Sequence, residues 1–154
     1  MARKNPKRIV FPEASDDRVL KAVEEIVHEN LAYPILIGKS ATIKTMAKKF
    51  KTKISWKKIQ IIDPNNKKLR DKYAEELFQI RREKGLTKKE AFKLVKDVNY
   101  FGSMMIHMND ADGMITGATH PTAYSIHPVL QIIKTREKFH KVSGIFFMVL
   151  QKKL

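Results

Sequence analysis

Cysteine is absent from this 154-residue chain, which removes both disulfide bridges and thiolate metal ligation. That fits a reducing compartment. Long apolar runs are also missing, and none approaches the length of a membrane span. The basic opening Met1-Ala2-Arg3-Lys4-Asn5-Pro6-Lys7-Arg8 leads only into Ile9-Val10-Phe11, shorter than the apolar core of a secretory signal. The expectation is a cytoplasmic chain with no membrane partner. Acidic residues are scarce: 16 Asp and Glu stand against 31 Lys and Arg, a formal charge of +15. Such a balance can mark a nucleic-acid binder. No aromatic RNA-binding signature and no Cys/His finger accompanies it, and the lysines between Lys44 and Lys68 interrupt helical and strand-like patterns singly or in pairs. A solvated lysine-rich surface accounts for them, with no nucleic-acid partner expected.

What the chain does have is 43% apolar residues, enough for one domain with a real core. Ile9-Val10-Phe11 reads as a short buried strand ended by Pro12. Ser15 is placed to cap a helix opening on Asp16 and Asp17, whose apolar face is Val19, Leu20, Val23, Ile26 and Val27. Pro34 to Gly38 reads as a second strand, and Ser40 opens a helix carrying Ile43, Met46, Ala47 and Phe50. Ile59 to Ile62 is a third strand, followed by the turn Asp63-Pro64-Asn65-Asn66. Leu69, Tyr73, Leu77 and Ile80 stripe a longer helix running to Gly85, and Thr87 with Glu90 predicts a capping box for the next. Residues 100–108 are apolar and admit helix or strand. Gly113 to Gly117 reads as a strand entering a loop, Pro121 opens a helix with Val129, Ile132 and Ile133, and Gly144 to Leu150 reads as a final strand. If left open, that last strand is an aggregation template. Strands alternating with helices predict an α/β fold: a mostly parallel sheet with helices on both faces.

Three familiar motifs fail on spacing. Gly38-Lys39-Ser40 ends like a phosphate-binding P-loop, but the first glycine would fall on Tyr33. Asp110-Ala111-Asp112-Gly113 resembles part of a calcium loop whose end ligands would be Met108 and Thr119. The five histidines form no i, i+4 zinc pair. One constellation survives: Gly113 and Gly117 at a strand end, then Thr116, Thr119, His120 and Thr122 before a helix starts near Pro121. A helix start beyond a parallel strand offers N–H donors to an anion, with hydroxyls and His120 alongside. An ordinary capped turn explains the same residues equally well.

Ordered landmarks add a resemblance. Arg8-Ile9-Val10-Phe11-Pro12-Glu13, Pro34-Ile35-Leu36-Ile37-Gly38, Ile62-Asp63-Pro64, Tyr100-Phe101-Gly102-Ser103-Met104-Met105, Ala111 to Ala118 and Leu130 to Thr135 resemble the phosphate acetyl/butyryltransferase family, in its order. The resemblance implies acyl exchange between acetyl phosphate and coenzyme A in acetate metabolism, with coenzyme A as substrate rather than cofactor and no metal. It implies an isocitrate dehydrogenase-like fold of two subdomains around a cleft, of which residues 1–154 are the amino-terminal portion and first subdomain only, and a homodimeric parent. The same domain also occurs behind malic enzymes as an acetyl-CoA-sensing unit, and Arg3 to Arg8 looks somewhat like the entry to it.

Carried over residue by residue, the resemblance marks Arg81, Thr116, Gly117, His120, Thr122 and His127 as substrate-binding. The Arg81 fork suits phosphate, though a helix-end arginine also serves the helix dipole. Two positions depart from the family. His127 precedes Pro128 where the family has arginine, and a neutral imidazole lacks the bidentate fork. Pro121 stands where serine is common, removing a hydroxyl and an N–H. The family's serine, arginine and aspartate for thiol deprotonation and oxyanion stabilisation fall beyond residue 154. The expectation is a chain inactive by itself.

Overall fold

The computed structural model describes residues 2–133. The strand expected at 144–150 lies outside them.

Four parallel strands form one sheet: β1 (Lys7–Phe11), β2 (Ala32–Ile37), β3 (Gln60–Ile62) and β4 (Gly113–Met114), in the order β3-β2-β1-β4. Ile9 lies opposite Pro34 on one side and Gly113 on the other, and Leu36 lies opposite Ile61. Six α-helices complete the described chain: α1 (Asp17–His28), α2 (Ser40–Lys49), α3 (Lys67–Arg81), α4 (Lys88–Leu94), α5 (Val98–His107) and α6 (Thr122–Ile132). Side chains alternate across each strand, so the core divides into two layers. Phe11 and Leu36 pack with Leu20, Val23, Val27, Ile43 and Ala47 of α1 and α2. Val10, Ile35, Ile37 and Ile62 pack on the other face with Tyr73, Leu77, Phe101, Met104 and Ile132. Helices therefore cover both faces, as the strand–helix alternation requires.

Most local expectations hold, and their exceptions have physical reasons. Thr87 and Glu90 form both halves of a capping box on α4. The open stretch 100–108 is helical: α5 is buried from Asn99 to Met105, so it shows no polar stripe from which a period could be read. Ser15 does not cap α1. Asp16 does, accepting from the Arg18 and Val19 N–H groups, because a carboxylate is the stronger acceptor at a positive helix end. Ser40 is the first residue of α2, with Lys39 at the cap position and no side-chain cap bond. The strand expected over 113–117 is only two residues long. Ile115 N–H still donates to the Val10 carbonyl at 2.9 Å, but Thr116 then turns its hydroxyl onto Asn99.

Gly102 brings α5 close to the sheet. A Cβ added there would stand 2.6 Å from Met114 Sδ and 3.2 Å from Val10 Cγ1. Gly102→Val should therefore cost about 2 kcal/mol through overpacking, read as a lowered midpoint in urea denaturation.

Candidate functional site

The strand order places β1 and β4 side by side while their connections leave in different directions. From β1 the chain passes through α1 to β2, and from β4 it enters α6. This is the reversal point at which open parallel sheets bind ligands, beyond the carboxyl ends of the strands. Two loops meet there: residues 12–16 after β1 and residues 115–121 after β4.

Their contact is made by one carboxylate. The Glu13 side chain, only 3% exposed, accepts from the backbone N–H groups of Gly117 (2.9 Å), Ala118 (2.7 Å), Thr119 (2.7 Å) and His120 (2.9 Å) and from the Thr119 hydroxyl (2.8 Å). His120 Nδ1 lies 3.0 Å from Glu13 Oε1. Turning successive N–H groups to one centre needs the left-handed backbone of Gly117, at φ +102°. Burial alone raises the Glu13 carboxyl, but the bonds from Thr119, Ala118 and His120 outweigh it and hold the group at about 2. The N–H groups of the loop before α6 are thus taken by an internal anion.

Behind the loop lies a small polar network. Thr116 Oγ1 donates to Asn99 Oδ1 at 2.8 Å and approaches Ser125 Oγ at 3.5 Å, and Asn99 is fully buried. The His120 ring leans on Tyr124, centroids 4.7 Å apart, and the Tyr124 hydroxyl donates to Asp97. Thr122 is the exposed first residue of α6, whose start has no side-chain cap.

Two of the marked residues sit apart from Glu13. His127, on α6, has its Nε2 2.9 Å from the Gln131 amide and its Nδ1 3.4 Å from the Tyr100 hydroxyl, which itself donates to Gln131 Oε1 at 2.9 Å. Arg81, at the end of α3, acts on the same Tyr100: burial and Asp97 push the phenol up, and the Arg81 charge opposes them. Gly117 and His120 therefore meet at Glu13 and Thr116 anchors the loop behind them on Asn99, while His127 contacts Tyr100, whose phenol also feels the Arg81 charge. Sequence reasoning passed over Glu13, Asn99, Tyr100, Ser125 and Gln131 as site residues. Glu13 appeared only as a letter in a landmark, and its one local hint is an acid placed in an apolar-flanked strand end.

A hollow of about 440 Å³ opens at this edge, lined by Glu13, Asp16, Gly38, Val98, Thr119 and His120. A larger one, about 690 Å³, lies at the opposite edge between long solvated side chains such as Lys21, Glu25 and Lys58 and shows no convergent buried donors. Among the described residues no group of three His, Cys, Asp or Glu side chains is placed to hold a metal ion. No helix among them is long and apolar enough to cross a membrane.

Fold and site together define a parallel α/β domain with its candidate ligand cleft at the carboxyl edge of the sheet. The sequence model described as Phosphate acetyl/butaryl transferase matches residues 1–154, and the chain belongs to that family. It is 35% identical over 148 residues to a phosphate acetyltransferase of Synechocystis sp., covering 96% of this chain and 21% of that protein. Among solved structures, a phosphotransacetylase from Streptococcus pyogenes superposes with a TM-score of 0.83 at 37% identity, over 91% of this chain and 42% of that one. The EutD phosphotransacetylase from Staphylococcus aureus gives 0.85 at 32% identity, over 98% and 45%. The chain thus spans less than half the length of these relatives. Their names support the transferase reading and lend nothing to the malic enzyme fusion.

Glu13 makes the fold acid-sensitive. Its folded pKa lies below the ordinary 4.5, so its contribution is complete above about pH 5 and is lost as pH falls through the folded value near 2. The contribution is on the order of 3 kcal/mol. In chemical denaturation the stability gap between the wild type and Glu13→Gln should shrink by about that amount between about pH 5 and pH 2. A constant gap would remove the assigned role of the carboxylate.

Proposed function

We propose that this chain forms one wall of the acyl-transfer cleft of a cytoplasmic phosphate acetyltransferase, exchanging acetyl between acetyl phosphate and coenzyme A. In this reading residues 1–154 are the amino-terminal portion of the domain, the carboxyl-terminal portion supplies the other wall, and the whole protein is a homodimer. The observation that carries it is the cleft at the β1–β4 reversal point, where Glu13 shapes the 117–120 loop and His120 lines the hollow just before the uncapped start of α6.

The chemistry asks for positive donors. A coenzyme A thiolate forms a C–S bond at the acetyl carbonyl, and the resulting oxyanion collapses as the C–O bond to phosphate breaks and phosphate leaves with the electron pair. Arg81 offers a planar fork to that phosphate, Thr122 a hydroxyl at a positive helix end, and His120 a ring nitrogen. Thr116 and Gly117 hold the loop: the first anchors it to buried Asn99, the second lets its N–H groups converge. His127 is the weakest member of the set, since an imidazole with both nitrogens already engaged offers little to a phosphate. The thiol base and the oxyanion donors belong to the carboxyl-terminal portion.

Mixed with acetyl phosphate and coenzyme A, this chain alone should produce no acetyl-CoA; clear turnover would overturn the division of the site. Titration with inorganic phosphate should shift the backbone NMR resonances of His120 and Thr122 and the side chain of Arg81. Unmoved signals at all three would place the phosphate elsewhere. His127→Arg should tighten phosphate several-fold, by about 1 kcal/mol for a fork replacing a neutral ring.

A further inference from the structure

The lysine-rich surface is not uniform. In the hollow of about 690 Å³, Lys21, Lys53 and Lys58 stand against Glu24, Glu25 and Glu29, so the charges balance. Another hollow, of about 610 Å³, lies between the start of α3 and α4 and is lined by Arg70, Lys89, Glu90, Phe92, Lys93 and Lys96. Four cations meet one carboxylate there, and that carboxylate is already in use. Glu90 Oε2 accepts from the Thr87 N–H at 2.9 Å and from the Thr87 hydroxyl at 2.7 Å.

The three lysines stand four and three residues apart, on one side of α4 and of the turn that closes it. In that turn the Lys96 N–H donates to the Lys93 carbonyl at 3.3 Å. None of the three has an acidic side-chain partner among the described residues. Lys88 on the same helix shows the contrast, pairing with Glu75 at 3.1 Å and lying over the Phe78 ring. Like charges four apart repel on a helix, so the stripe is a small local cost to α4.

Two further groups make the stripe a shaped site. Arg70 is partly buried, and its Nε and Nη2 both donate to Asp71 Oδ1, at 3.2 and 3.0 Å. One edge of the guanidinium is thereby held, and Nη1 has no partner among the described residues. A held fork loses less freedom on meeting a phosphate than a free lysine does. Phe92 packs on the core and also lines the hollow, so part of its ring is open to a flat group.

We propose that this hollow binds a nucleotide carrying at least two phosphates, with the phosphates on Lys89, Lys93, Lys96 and Arg70 and the base against Phe92. Its volume is that of a small-molecule site. Glu90 and Asp71 offset two of the four cations, and the remaining positive excess meets a diphosphate. One aromatic ring serves one base, whereas a nucleic-acid strand is held by successive rings along a continuous basic groove. The hollow shares no lining residue with the one at Glu13, so the proposal does not rest on the acyl-transfer reading.

Calorimetric titration of the 154-residue chain with ADP, inorganic pyrophosphate and adenosine tests both halves of the site. ADP should bind saturably and roughly tenfold more tightly than pyrophosphate, the difference being one stacked base. Adenosine should be the weakest of the three. Lys93→Glu should weaken ADP and pyrophosphate alike, by about tenfold or more. Lys53→Glu changes the net charge by the same amount in the balanced hollow and should leave both affinities unchanged. Phe92→Leu keeps an apolar side chain on the core and should lower ADP to the level of pyrophosphate, with pyrophosphate itself unmoved. Absence of saturable ADP binding overturns the proposal. So do equal affinities of the wild type for ADP and pyrophosphate, a comparison that needs no variant to fold. Equal losses in Lys53→Glu and Lys93→Glu would reduce the effect to general charge and overturn it as well. A single-stranded oligonucleotide held more tightly than ADP through Lys93 would make the hollow part of a nucleic-acid path, and the nucleotide assignment would fall.

Discussion

A carboxylate buried beside a sheet edge must be met by hydrogen bonds, because an unpaired buried charge costs far more than a folded domain can spare. Glu13 meets that demand with five donors drawn from four consecutive residues, a little over 100 positions later in the chain. The constraint runs both ways. The carboxylate needs the loop, and the loop can turn four N–H groups inward only because an anion is waiting there. Arg18 adds a second tie across the same gap, pairing with Asp16 and donating to the Ala118 carbonyl. The β1–α1 loop, the β4–α6 loop and the first turn of α6 are thereby one unit, closing the edge where a ligand would enter.

This unit also marks the boundary of what the sequence made legible. Strands β1, β2 and β3 and helices α1 to α4 could be read because each carries its own period and its own end signals within a few residues. Thr87 and Glu90 are three apart, and both halves of their box are present. Helix α5 could not be read, since burial on most sides removes the contrast on which a period depends. Ser15 and Asp16 are adjacent candidates for one cap, and only the backbone turn decides between them. The candidate site shows the same split. Glycine, threonine and histidine after a strand end were visible as a donor-rich loop, yet their acceptor lies far away in sequence and leaves no local trace. Donor counting left an anion site and an ordinary turn equally open, and the N–H groups of residues 117–120 are in fact used within the protein.

With those N–H groups occupied, attraction for an anion has to come from elsewhere at the edge. The start of α6 contributes a partial positive charge with no side chain capping it. Arg81 ends α3, and its charge is felt by the Tyr100 phenol. Over longer range the formal charge of +15 acts on any phosphorylated substrate, since the lysines from Lys44 to Lys68 are all exposed. Such a surface raises encounter rates without choosing a binding geometry, and screening confines it to about 8 Å at physiological salt. Choice of geometry is left to the few fixed groups at the rim.

His127 shows how tightly that choice is constrained. The Gln131 amide donates to Nε2, so the neutral ring carries its proton on Nδ1, facing the Tyr100 hydroxyl. Tyr100 in turn donates to Gln131 Oε1, and the three side chains form a closed ring of hydrogen bonds joining α5 to α6. Pro128 follows immediately, buried and without an N–H, so α6 lacks one internal bond at the same point. The triad steadies the helix where its own ladder is weakest. Protonating His127 to make it a phosphate donor would turn Nε2 from acceptor to donor and break the Gln131 contact, so any gain in charge is offset by a loss in packing between α5 and α6. An arginine is spared that conflict, because its guanidinium is charged without taking a proton. His127 is therefore first of all a structural contact, holding α5 against α6 through Tyr100 and Gln131.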